Sequence, residues 1–469
     1  MTGQILAGWA SVDITPAKRV SMQGQNYERI SERVNDPLFA TALALESTGD
    51  GEREQAVLIA CDLIVIRRPL LERLRAELAE ELINLDLNKI IINAIHNHTG
   101  PYYSDEDMTP EFEEMGWSGW KELGEDAFLS PTESFAFLVG QLKKLVIEAW
   151  SSRRPMEFAQ ELGHAVVGHC RRVSYQDGTA AMYGRTDCDS FQALEGGSDH
   201  GLELLYLFEG STLTGVVFNV ACPSQVVELE KFISADFVGA ARRRIKEQFG
   251  SGIFVLPQIS AAGDQSPRDL IRRGRSENNM FSLDGAEELG RRIAAAVEEG
   301  YSAACRDKRN CLEFKHRVEQ ITLPIRRVTD EEITWAEHKR EEIEKNGSSG
   351  VLERLNCLGI LERAEYQREI SGFEMELHAL RLGDAAIVTN PFELFLEYGM
   401  RIKARSRAIQ TFIVQLACDF GAYLPTEKAV AGGSYSAAVF SGIVGPEGGS
   451  LLAERSVQVI NSLWEDEVL

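Results

Sequence analysis

The sequence lacks a long apolar run and an export leader. No stretch of about 18 consecutive apolar residues occurs, so we expect no membrane-spanning helix. The first nine residues, Met-Thr-Gly-Gln-Ile-Leu-Ala-Gly-Trp, contain neither the basic region nor the apolar segment of a signal peptide. These two absences predict a cytoplasmic protein.

Cysteine pairs with metal-site or redox spacing are also missing. The eight cysteines are scattered along the chain, and none belongs to a Cys-x-x-Cys motif. In a chain without an export leader, such cysteines are typical of reduced thiols in the core. We therefore expect no disulfide framework.

Positive charge is scarce relative to negative charge. The chain has 49 Lys and Arg residues against 72 Asp and Glu residues, a formal net charge of −23. An acidic surface repels phosphate backbones and anionic membranes, so we expect no nucleic acid partner and no stable membrane association. A small-molecule substrate is the expected partner, and the sequence leaves open whether the protein forms a homo-oligomer.

The order of apolar segments predicts an α/β protein that folds as one domain over residues 1–469. Most of the predicted strands are short apolar runs that end at Gly, Pro or Asp, as at 37–46, 55–63 and 89–95. Helical periodicity covers 68–85, 133–150, 237–249 and 284–299. Two insertions interrupt this pattern: an acidic, aromatic segment at 102–132, which is either a surface loop or a lid, and a charged helical hairpin at 330–366.

The segment Asn93-Ala-Ile-His-Asn-His-Thr-Gly-Pro101 offers the most specific chemistry. His96 and His98 are separated by one residue, and in a strand such residues point to the same side. Both imidazoles could then face one metal ion. The alternative is a pair of polar histidines at the end of a strand.

Four further strand ends carry reactive side chains beside Gly or Pro. Each is unremarkable alone, and an ordinary strand-to-loop turn explains any one of them. Their recurrence in one α/β chain favours a shared site, because ligands bind where strands end. The residues are Cys222 before Pro223, Asp264 and Ser266 in Gly263-Asp-Gln-Ser-Pro267, Glu393 after Asn390-Pro-Phe, and Tyr423 before Leu-Pro-Thr426.

Taken in order, these segments resemble the neutral/alkaline (non-lysosomal) ceramidase family. The resemblance runs from about residue 5 to residue 463, and it is the ordered set of motifs that is specific. The matching motifs are Asp13-Ile-Thr-Pro16, Asp36-Pro-Leu38, His96-x-His98-x-Gly-Pro101, Arg171 before Tyr175-Gln-Asp-Gly178, Ile233-Ser-Ala-Asp236, Ala262-Gly-Asp-x-Ser-Pro267, Asn390-Pro-x-Glu393 and Tyr423-x-Pro-Thr426.

The resemblance implies a fold and a set of site residues. The fold would be that of the family's N-terminal catalytic domain, an α/β (α+β) arrangement of mixed β-sheets flanked by helices, without the family's C-terminal immunoglobulin-like domain. One zinc ion would be held by His96, Glu393 and Tyr423. His98 would sit beside it as a hydrogen-bonding or proton-transfer group, and Arg171 would contact the substrate. Ser266 falls where the family has a catalytic serine.

The chain departs from the family at the second histidine ligand. The family has His-Pro where this sequence has Cys222-Pro223. Cysteine is a competent zinc ligand, but a thiolate adds negative charge and makes the ion a weaker Lewis acid. Three outcomes follow: a zinc enzyme with Cys222 as a ligand, a different metal or reaction, or loss of the metal. Because His96, His98, Glu393 and Tyr423 all remain, we favour a retained metal.

The resulting hypothesis is a metal-dependent amidase acting on a soluble substrate rather than on membrane ceramide. No apolar segment suited to extracting a lipid from a bilayer is present. His98 would shuttle a proton, and Ser266 and Asp264 would orient water or substrate; Ser266 is a nucleophile only if a base lies within reach. The alternatives are an ester or glycosidic-bond hydrolase, a binding protein that lost its metal at Cys222, and a protein whose motif residues are all structural.

Overall fold

Two β-sheets stacked face to face form the centre of the molecule. The computed structural model describes residues 2–48, 53–124, 126–272, 280–346 and 350–465. The stacking is visible at Trp9 of one sheet and Phe254 of the other, whose ring centroids lie 5.7 Å apart with the planes nearly parallel. Leu205, Leu207 and Val217 of the smaller sheet belong to the same apolar core as the larger sheet.

The larger sheet is mixed and supplies three of the segments predicted to carry reactive residues. Along the sheet its strands are Gln410–Val414, Ala385–Thr389, Gly372–Leu382, Cys311–Pro324, Thr2–Asp13, Phe39–Thr48, Gln55–Cys61 and Ile90–Ala94, and Arg154–Pro155 pairs with Thr2–Asp13. Neighbouring strands run antiparallel except for two pairs. Gln55–Cys61 is parallel to Ile90–Ala94, and Ala385–Thr389 is parallel to Gln410–Val414.

The smaller sheet has four strands in the order Phe254–Ile259, Thr212–Val220, Gly201–Glu209 and Glu157–His164. Its side chains alternate between two cores, as the pleat of a strand requires. Leu204, Tyr206 and Phe208 point away from the larger sheet, into an apolar cluster with helices 236–249 and 283–304. The four layers are therefore helix, sheet, sheet and helix.

Helices cover the outer faces of both sheets. Pro131–Ser151 starts with a capping box, in which Ser130 and Glu133 satisfy each other's backbone N–H groups. The remaining helices are Arg68–Leu78, Thr109–Glu114, Asp236–Phe249, Leu283–Ala304, Asp330–Asn346, Val351–Glu369, Leu396–Arg405, Glu427–Gly432 and Pro446–Ser462, with 3₁₀ turns at Leu87–Lys89, Gly119–Glu122, Tyr435–Ala437 and Val439–Ser441.

Short strand pairs tie the connecting loops together. They are Arg33–Val34 with Phe232–Ile233, His169–Cys170 with Gln265–Ser266, Glu393–Leu394 with Tyr423–Leu424, and the three-stranded set Arg172–Tyr175, Ala180–Met182 and Phe191–Leu194. Among the described residues, no helix combines the length and apolar character needed to cross a bilayer.

The predicted α/β fold with mixed sheets and flanking helices is confirmed. The helical pair at 330–346 and 351–369 matches the expected hairpin, although its turn at 347–349 and the turn at 49–52 lie outside the described residues. The strand Cys311–Pro324 was missed, because its solvent-facing positions are charged. The helix Leu396–Arg405 was missed as well.

The segment 102–132 packs against residues 19–30. The N–H groups of Ser118 and Gly119 donate to the Glu28 carboxylate, at 3.2 and 3.0 Å. Residues 19–30 in turn approach the histidine segment, where Gln23 N–H donates to the Gly100 carbonyl at 3.3 Å. The segment 102–132 is thus one layer removed from the histidines, and its role as a lid stays a prediction.

Candidate active site

The histidine segment leaves the larger sheet before it reaches its first histidine. The strand ends at Ala94, and His96 has a φ of +57°, in the left-handed region. The imidazoles of His96 and His98 meet edge to face, with centroids 4.9 Å apart. The expectation that strand alternation orients this pair is wrong, because both residues belong to a turn. The rings nevertheless share one side of it.

Buried hydrogen bonds hold this turn in place. The Asn97 side-chain amide donates to the carbonyls of Asp62, at 3.2 Å, and Ser234, at 2.8 Å. The buried Arg29 guanidinium donates to the His98 carbonyl at 2.7 Å. Buried backbone groups paired in this way cost little to keep and much to break, so the histidine backbone is fixed.

Glu393 and Tyr423 are brought together by a two-residue parallel strand pair. In this pair Glu393 is in register with Tyr423, and the Tyr423 hydroxyl is close enough to the Glu393 carboxylate to lower the pKa of that carboxyl group. The segment from Gly263 packs directly on them, since Gly263 N–H donates to the Leu394 carbonyl at 2.8 Å. A Cβ at position 263 would lie 2.2 Å from the Glu393 carbonyl oxygen, so this close approach requires glycine.

His96 and Glu393 form a buried pair with an unusual proton requirement. His96 Nδ1 lies 2.9 Å from the Ile64 carbonyl oxygen, which can only accept, so the neutral ring carries its proton on Nδ1. Nε2 then presents a lone pair 3.3 Å from Glu393 Oε2. Two acceptors this close repel each other unless a positive charge joins them, and that charge is either an extra proton or a metal ion.

The electrostatics of the pair keep Glu393 ionised and Tyr423 neutral. Burial raises the pKa of Glu393, but His96, Arg171 and the Tyr423 hydroxyl lower it by more, so the net shift is downward. Burial, followed by the neighbouring Glu393 carboxylate, holds the pKa of Tyr423 well above its ordinary value. In this state Tyr423 is a neutral phenol, and a cation would be needed to make it a phenolate.

Arg171 lies over the same centre and is almost completely buried. Its Nη2 donates to the Gly263 carbonyl at 2.8 Å and to the Tyr423 hydroxyl at 3.2 Å. Its Nη1 donates to the Tyr183 hydroxyl at 3.0 Å. A planar, always-charged fork fixed in this way is suited to binding a substrate oxygen or a developing negative charge.

Ser266 and Asp264 lie beside Arg171 but have different surroundings. The Gln225 amide donates to Ser266 Oγ at 3.2 Å, and the Arg268 N–H donates to it at 3.3 Å. Both of these partners are donors, so neither can take the Ser266 proton. Asp264 Oδ1 accepts the Leu396 N–H at 2.8 Å, at the start of the helix Leu396–Arg405, and burial raises its pKa.

Two solved structures resemble the chain along its whole length. The neutral ceramidase from Pseudomonas aeruginosa superposes with a TM-score of 0.70 at 19% sequence identity, over 100% of this chain and 75% of that one. A ceramidase complexed with C2 superposes with a TM-score of 0.68 at 17% identity, over 99% of this chain and 76% of that one. The chain has a neutral ceramidase-like fold. No family model and no curated protein matches the sequence.

Within this ceramidase-like fold, Cys222 lies apart from the other predicted metal ligands. Its thiol points at the carbonyls of Val167 and Pro223, at 3.7 and 3.6 Å, and burial raises the thiol pKa well above its ordinary value. Among the described residues, His96, Cys222 and Glu393 do not bring their donor atoms within 4.8 Å of one another. His96, Glu393 and Tyr423 therefore lie together, and Cys222 as a further metal ligand stays a prediction.

His98 has a polar neighbourhood that the sequence did not reveal. Its Nδ1 lies 3.6 Å from Glu228 Oε2, beyond hydrogen-bond distance, and both ring nitrogens are buried without a hydrogen-bond partner. Burial and then the neighbouring His96 lower its pKa, which favours the neutral ring. Glu228 in turn accepts from Arg268, at 2.5 Å, and from the Gln25 amide, at 3.3 Å.

The residues missed by sequence reasoning lie next to the motifs it found. Gln225 and Glu228 follow Cys222-Pro223, and Arg268 follows Ser266-Pro267 directly. The only sequence signal for these residues was therefore that they closely follow a motif residue along the chain. Tyr183 had no such signal, because it reaches the site through the three-stranded set that contains Arg172–Tyr175.

A second group of metal-ligand side chains lies elsewhere in the larger sheet. Donor atoms of Glu376, His378 and Cys418 lie within 4.8 Å of one another, and no other such group of His, Cys, Asp or Glu occurs among the described residues. The protein therefore contains a candidate metal site that sequence reasoning did not find.

Proposed function

We propose that the protein is a metal-dependent hydrolase that cleaves an amide bond in a soluble substrate. The observation that carries this proposal is the buried His96–Glu393 pair, in which a lone pair on Nε2 faces a carboxylate oxygen at 3.3 Å. A single zinc ion held by His96, Glu393 and Tyr423 would supply the missing positive charge. The ceramidase-like fold supports the same assignment, because the two similar structures are ceramidases.

The side chains present fit such an ion. Imidazole, carboxylate and phenol oxygen are ordinary zinc donors, and the Ile64 carbonyl fixes the His96 ring with Nε2 towards the centre. Three protein ligands leave a coordination position open, as catalytic zinc sites do. A bound zinc ion supplies Lewis acidity to a substrate carbonyl and to water.

The surrounding side chains would bind the substrate and move protons. Arg171 is fixed by Gly263, Tyr183 and Tyr423, so its guanidinium would stabilise negative charge that develops on the substrate oxygen. His98 is neutral and has two unpaired ring nitrogens, so it would accept a proton from water and return it to the leaving amine.

Ser266 is assigned an orienting role in this proposal. Its Oγ accepts two hydrogen bonds and has no base among its hydrogen-bond partners. A serine nucleophile needs a base within hydrogen-bond reach. Ser266 and Gln225 would therefore hold the substrate or water. Asp264 would stabilise the site by accepting the Leu396 N–H.

The charged residues beside His98 favour a polar substrate over membrane ceramide. Glu228, Arg268 and Gln25 form a connected hydrogen-bonded set next to the histidine. Buried charges of this kind are costly beside a purely apolar ligand and favourable beside a polar one. An acylated polar amine fits this neighbourhood. The cytoplasmic location, the small-molecule partner and the oligomeric state stay predictions.

One observation favours a second candidate function. Because the Cys222 thiol contacts the carbonyls of Val167 and Pro223, only three of the four ligands that the resemblance implies lie together. A binding protein that kept the pocket and lost the ion would show the same arrangement. Ester and glycosidic-bond hydrolysis are further alternatives on the same scaffold.

Metal analysis combined with an activity panel tests the proposal. We expect the zinc-loaded wild type to hold one more equivalent of zinc than Glu393→Ala, and to hydrolyse N-acyl substrates that Glu393→Ala does not cleave. Glu397→Ala, an exposed glutamate on the adjoining helix, is the matched control and should behave as wild type. Equal zinc in wild type and Glu393→Ala would support the binding protein. Cleavage of esters or glycosides alone would reassign the reaction.

A further inference from the structure

The second cluster joins the strand Gly372–Leu382 to the segment that follows the strand Gln410–Val414. Glu376 and His378 are two residues apart in the strand Gly372–Leu382, so their side chains share one face. Cys418 follows the strand Gln410–Val414. His378 Nε2 lies 3.2 Å from Glu376 Oε2 and 3.7 Å from Cys418 Sγ. His378 and Cys418 are buried, and Glu376 is partly exposed.

The two histidines of this cluster cannot satisfy all of their contacts as neutral rings. Three contacts form a chain: Gln55 carbonyl oxygen to His316 Nδ1 at 2.9 Å, His316 Nε2 to His378 Nδ1 at 3.1 Å, and His378 Nε2 to Glu376 Oε2 at 3.2 Å. Each contact needs one proton, and two neutral imidazoles carry two in total. One contact therefore lacks a proton.

Glu376 does not supply the missing proton. Both of its oxygens accept from the Arg75 guanidinium, at 2.7 and 2.9 Å. A guanidinium only donates, so a carboxyl group whose two oxygens both accept from it is ionised. The Nε2 lone pair of His378 therefore faces the Glu376 carboxylate at 3.2 Å, and an added cation at this point, either a proton or a metal ion, would join the two groups.

Two features favour a metal ion over a proton. Cys418 Sγ supplies a third donor at the same point, and a thiol there is unnecessary for a simple imidazolium–carboxylate pair. The hydrogen bond from His378 Nδ1 to His316 turns the Nε2 lone pair towards the cluster, as an outer hydrogen bond does for metal-bound histidines.

We propose that Glu376, His378 and Cys418 bind a second divalent metal ion of the zinc class, distinct from the proposed catalytic centre. Sulfur, nitrogen and oxygen donors of this kind suit zinc. Binding would convert the Cys418 thiol to a thiolate, with its proton released to solvent. Arg75 would stay as the outer partner of the Glu376 carboxylate, which has lone pairs for both.

The position of the site indicates a structural role. Cys418 has a φ of +65°, and its N–H donates to the Ile92 carbonyl at 2.9 Å, so it marks the turn at which the chain leaves the sheet. The next segment leads to Tyr423, the phenol of the proposed catalytic centre. An ion bound at Cys418 would anchor the start of this segment. The inference stands independently of the proposed function.

Cobalt substitution tests the site without measuring activity. We expect the cobalt-loaded wild type to show thiolate-to-cobalt charge-transfer absorption in the near ultraviolet. Cys222→Ser should retain this absorption and Cys418→Ser should lose it. The proposal would be overturned by any of three results: no such absorption in the wild type, absorption that survives in Cys418→Ser, or absorption that is also lost in Cys222→Ser.

A second measurement keeps Cys418 intact, in case its replacement prevents folding. In the doubly substituted protein Glu393→Ala, Cys222→Ser, X-ray absorption of the bound zinc should reveal one sulfur at about 2.3 Å together with imidazole nitrogen. Zinc with only oxygen and nitrogen neighbours would overturn the assignment. Failure of this protein to retain any zinc would show that a proton occupies the position, and would overturn it as well.

Discussion

The two candidate metal centres share one arrangement, a histidine facing a carboxylate, but they differ in the side chains around it. In each, one ring nitrogen of a histidine is committed to an outer hydrogen bond, and the other faces a buried carboxylate, at 3.3 Å in one centre and 3.2 Å in the other. At His96 the neighbours are Arg171 and His98, which have groups to offer a ligand. At His378 the neighbours are Arg75, which binds the Glu376 carboxylate, and Cys418, whose sulfur contacts His378 Nε2.

This difference suits the centre at His96 to catalysis and the centre at His378 to a structural role. Catalytic metal sites keep an open position, whereas structural sites are filled by protein ligands and their hydrogen-bond partners. The comparison predicts that damage to the centre at His96 destroys turnover and leaves the fold, whereas damage to the centre at His378 weakens the fold and leaves turnover. Of the five substitutions that follow, those at His96, Arg171 and His378 test that division.

The largest effect is expected from His96→Gln. Removal of the imidazole takes away one proposed ligand and leaves Glu393 without its partner, so turnover should fall by at least about 10²–10³-fold. The free energy of unfolding should also fall, because Glu393 and the Ile64 carbonyl lose a buried partner, so the loss that sets this variant apart is turnover per folded molecule. Steady-state kinetics and thermal unfolding measured on the same sample check the prediction, and wild-type turnover in a folded variant would contradict it.

Arg171→Lys should have the next largest effect. Lysine keeps the charge but loses the fork that reaches both Tyr423 and Tyr183. We expect kcat to fall by about 10²-fold with a much smaller change in KM, because the lost interaction is made mainly with charge that develops during the reaction. A rise in KM at constant kcat would instead mean that Arg171 only binds the substrate.

His378→Gln should lower stability and spare catalysis. The substitution leaves buried partners at Glu376 and His316 unsatisfied, which costs about 1–3 kcal/mol of unfolding free energy. Chemical denaturation measures this loss, and turnover per folded molecule should match wild type. A variant that is stable but inactive would break the division between the two centres.

Ser266→Ala should have a modest effect on turnover. If Ser266 only orients groups through Gln225, one hydrogen bond of about 1 kcal/mol is lost, which slows turnover by roughly five- to tenfold. Removing a true serine nucleophile costs on the order of 10⁶-fold. Single-turnover kinetics distinguish these outcomes, and complete loss of activity in a folded Ser266→Ala protein would restore the nucleophile assignment.

Asp236→Asn should have the smallest effect on turnover and should be seen only in the pH dependence of stability. Burial raises the pKa of Asp236 from 3.8 to about 7, so between these values the folded protein keeps a proton that the unfolded chain has lost. The free energy of unfolding therefore decreases as pH rises through this window, by at most about 1.4 kcal/mol per unit. Asparagine tolerates the φ of +53° at this position and does not titrate.

The measurement for Asp236 is the difference in unfolding free energy between the wild type and Asp236→Asn at several pH values. As pH rises from about 4 to about 7, the wild type should lose stability relative to Asp236→Asn, and above about pH 7 the difference should become constant. A difference that stays constant over this range would mean that the buried carboxyl does not retain its proton.

Much of the fold could be predicted from apolar periodicity. Phe39–Thr48 and Gln55–Cys61 are nearly continuous apolar runs because both of their faces are buried. Cys311–Pro324 was missed because one of its faces is largely polar and charged, although alternation at Leu312, Phe314 and His316 was visible. That strand is central to the larger sheet, so its omission left the sheet's two halves unconnected.

The site could be predicted only as far as its motifs. His96, Glu393, Tyr423 and Arg171 were found by their order along the chain, and the structure brings them together. The direction of the Cys222 thiol depends on the carbonyls of Val167 and Pro223, which no sequence motif encodes. The centre at His378 was hidden because Glu-x-His in a strand is an ordinary polar face until Cys418 is placed beside it.

Anomalous diffraction at the zinc absorption edge, from zinc-soaked crystals of the wild-type protein, tests the central claim most directly. The account predicts a zinc peak at about 2.0–2.1 Å from His96 Nε2, with Glu393 as a ligand and Cys222 Sγ outside the coordination sphere. Zinc bound only at Cys418, with His96 and Glu393 joined by no ion, would contradict it.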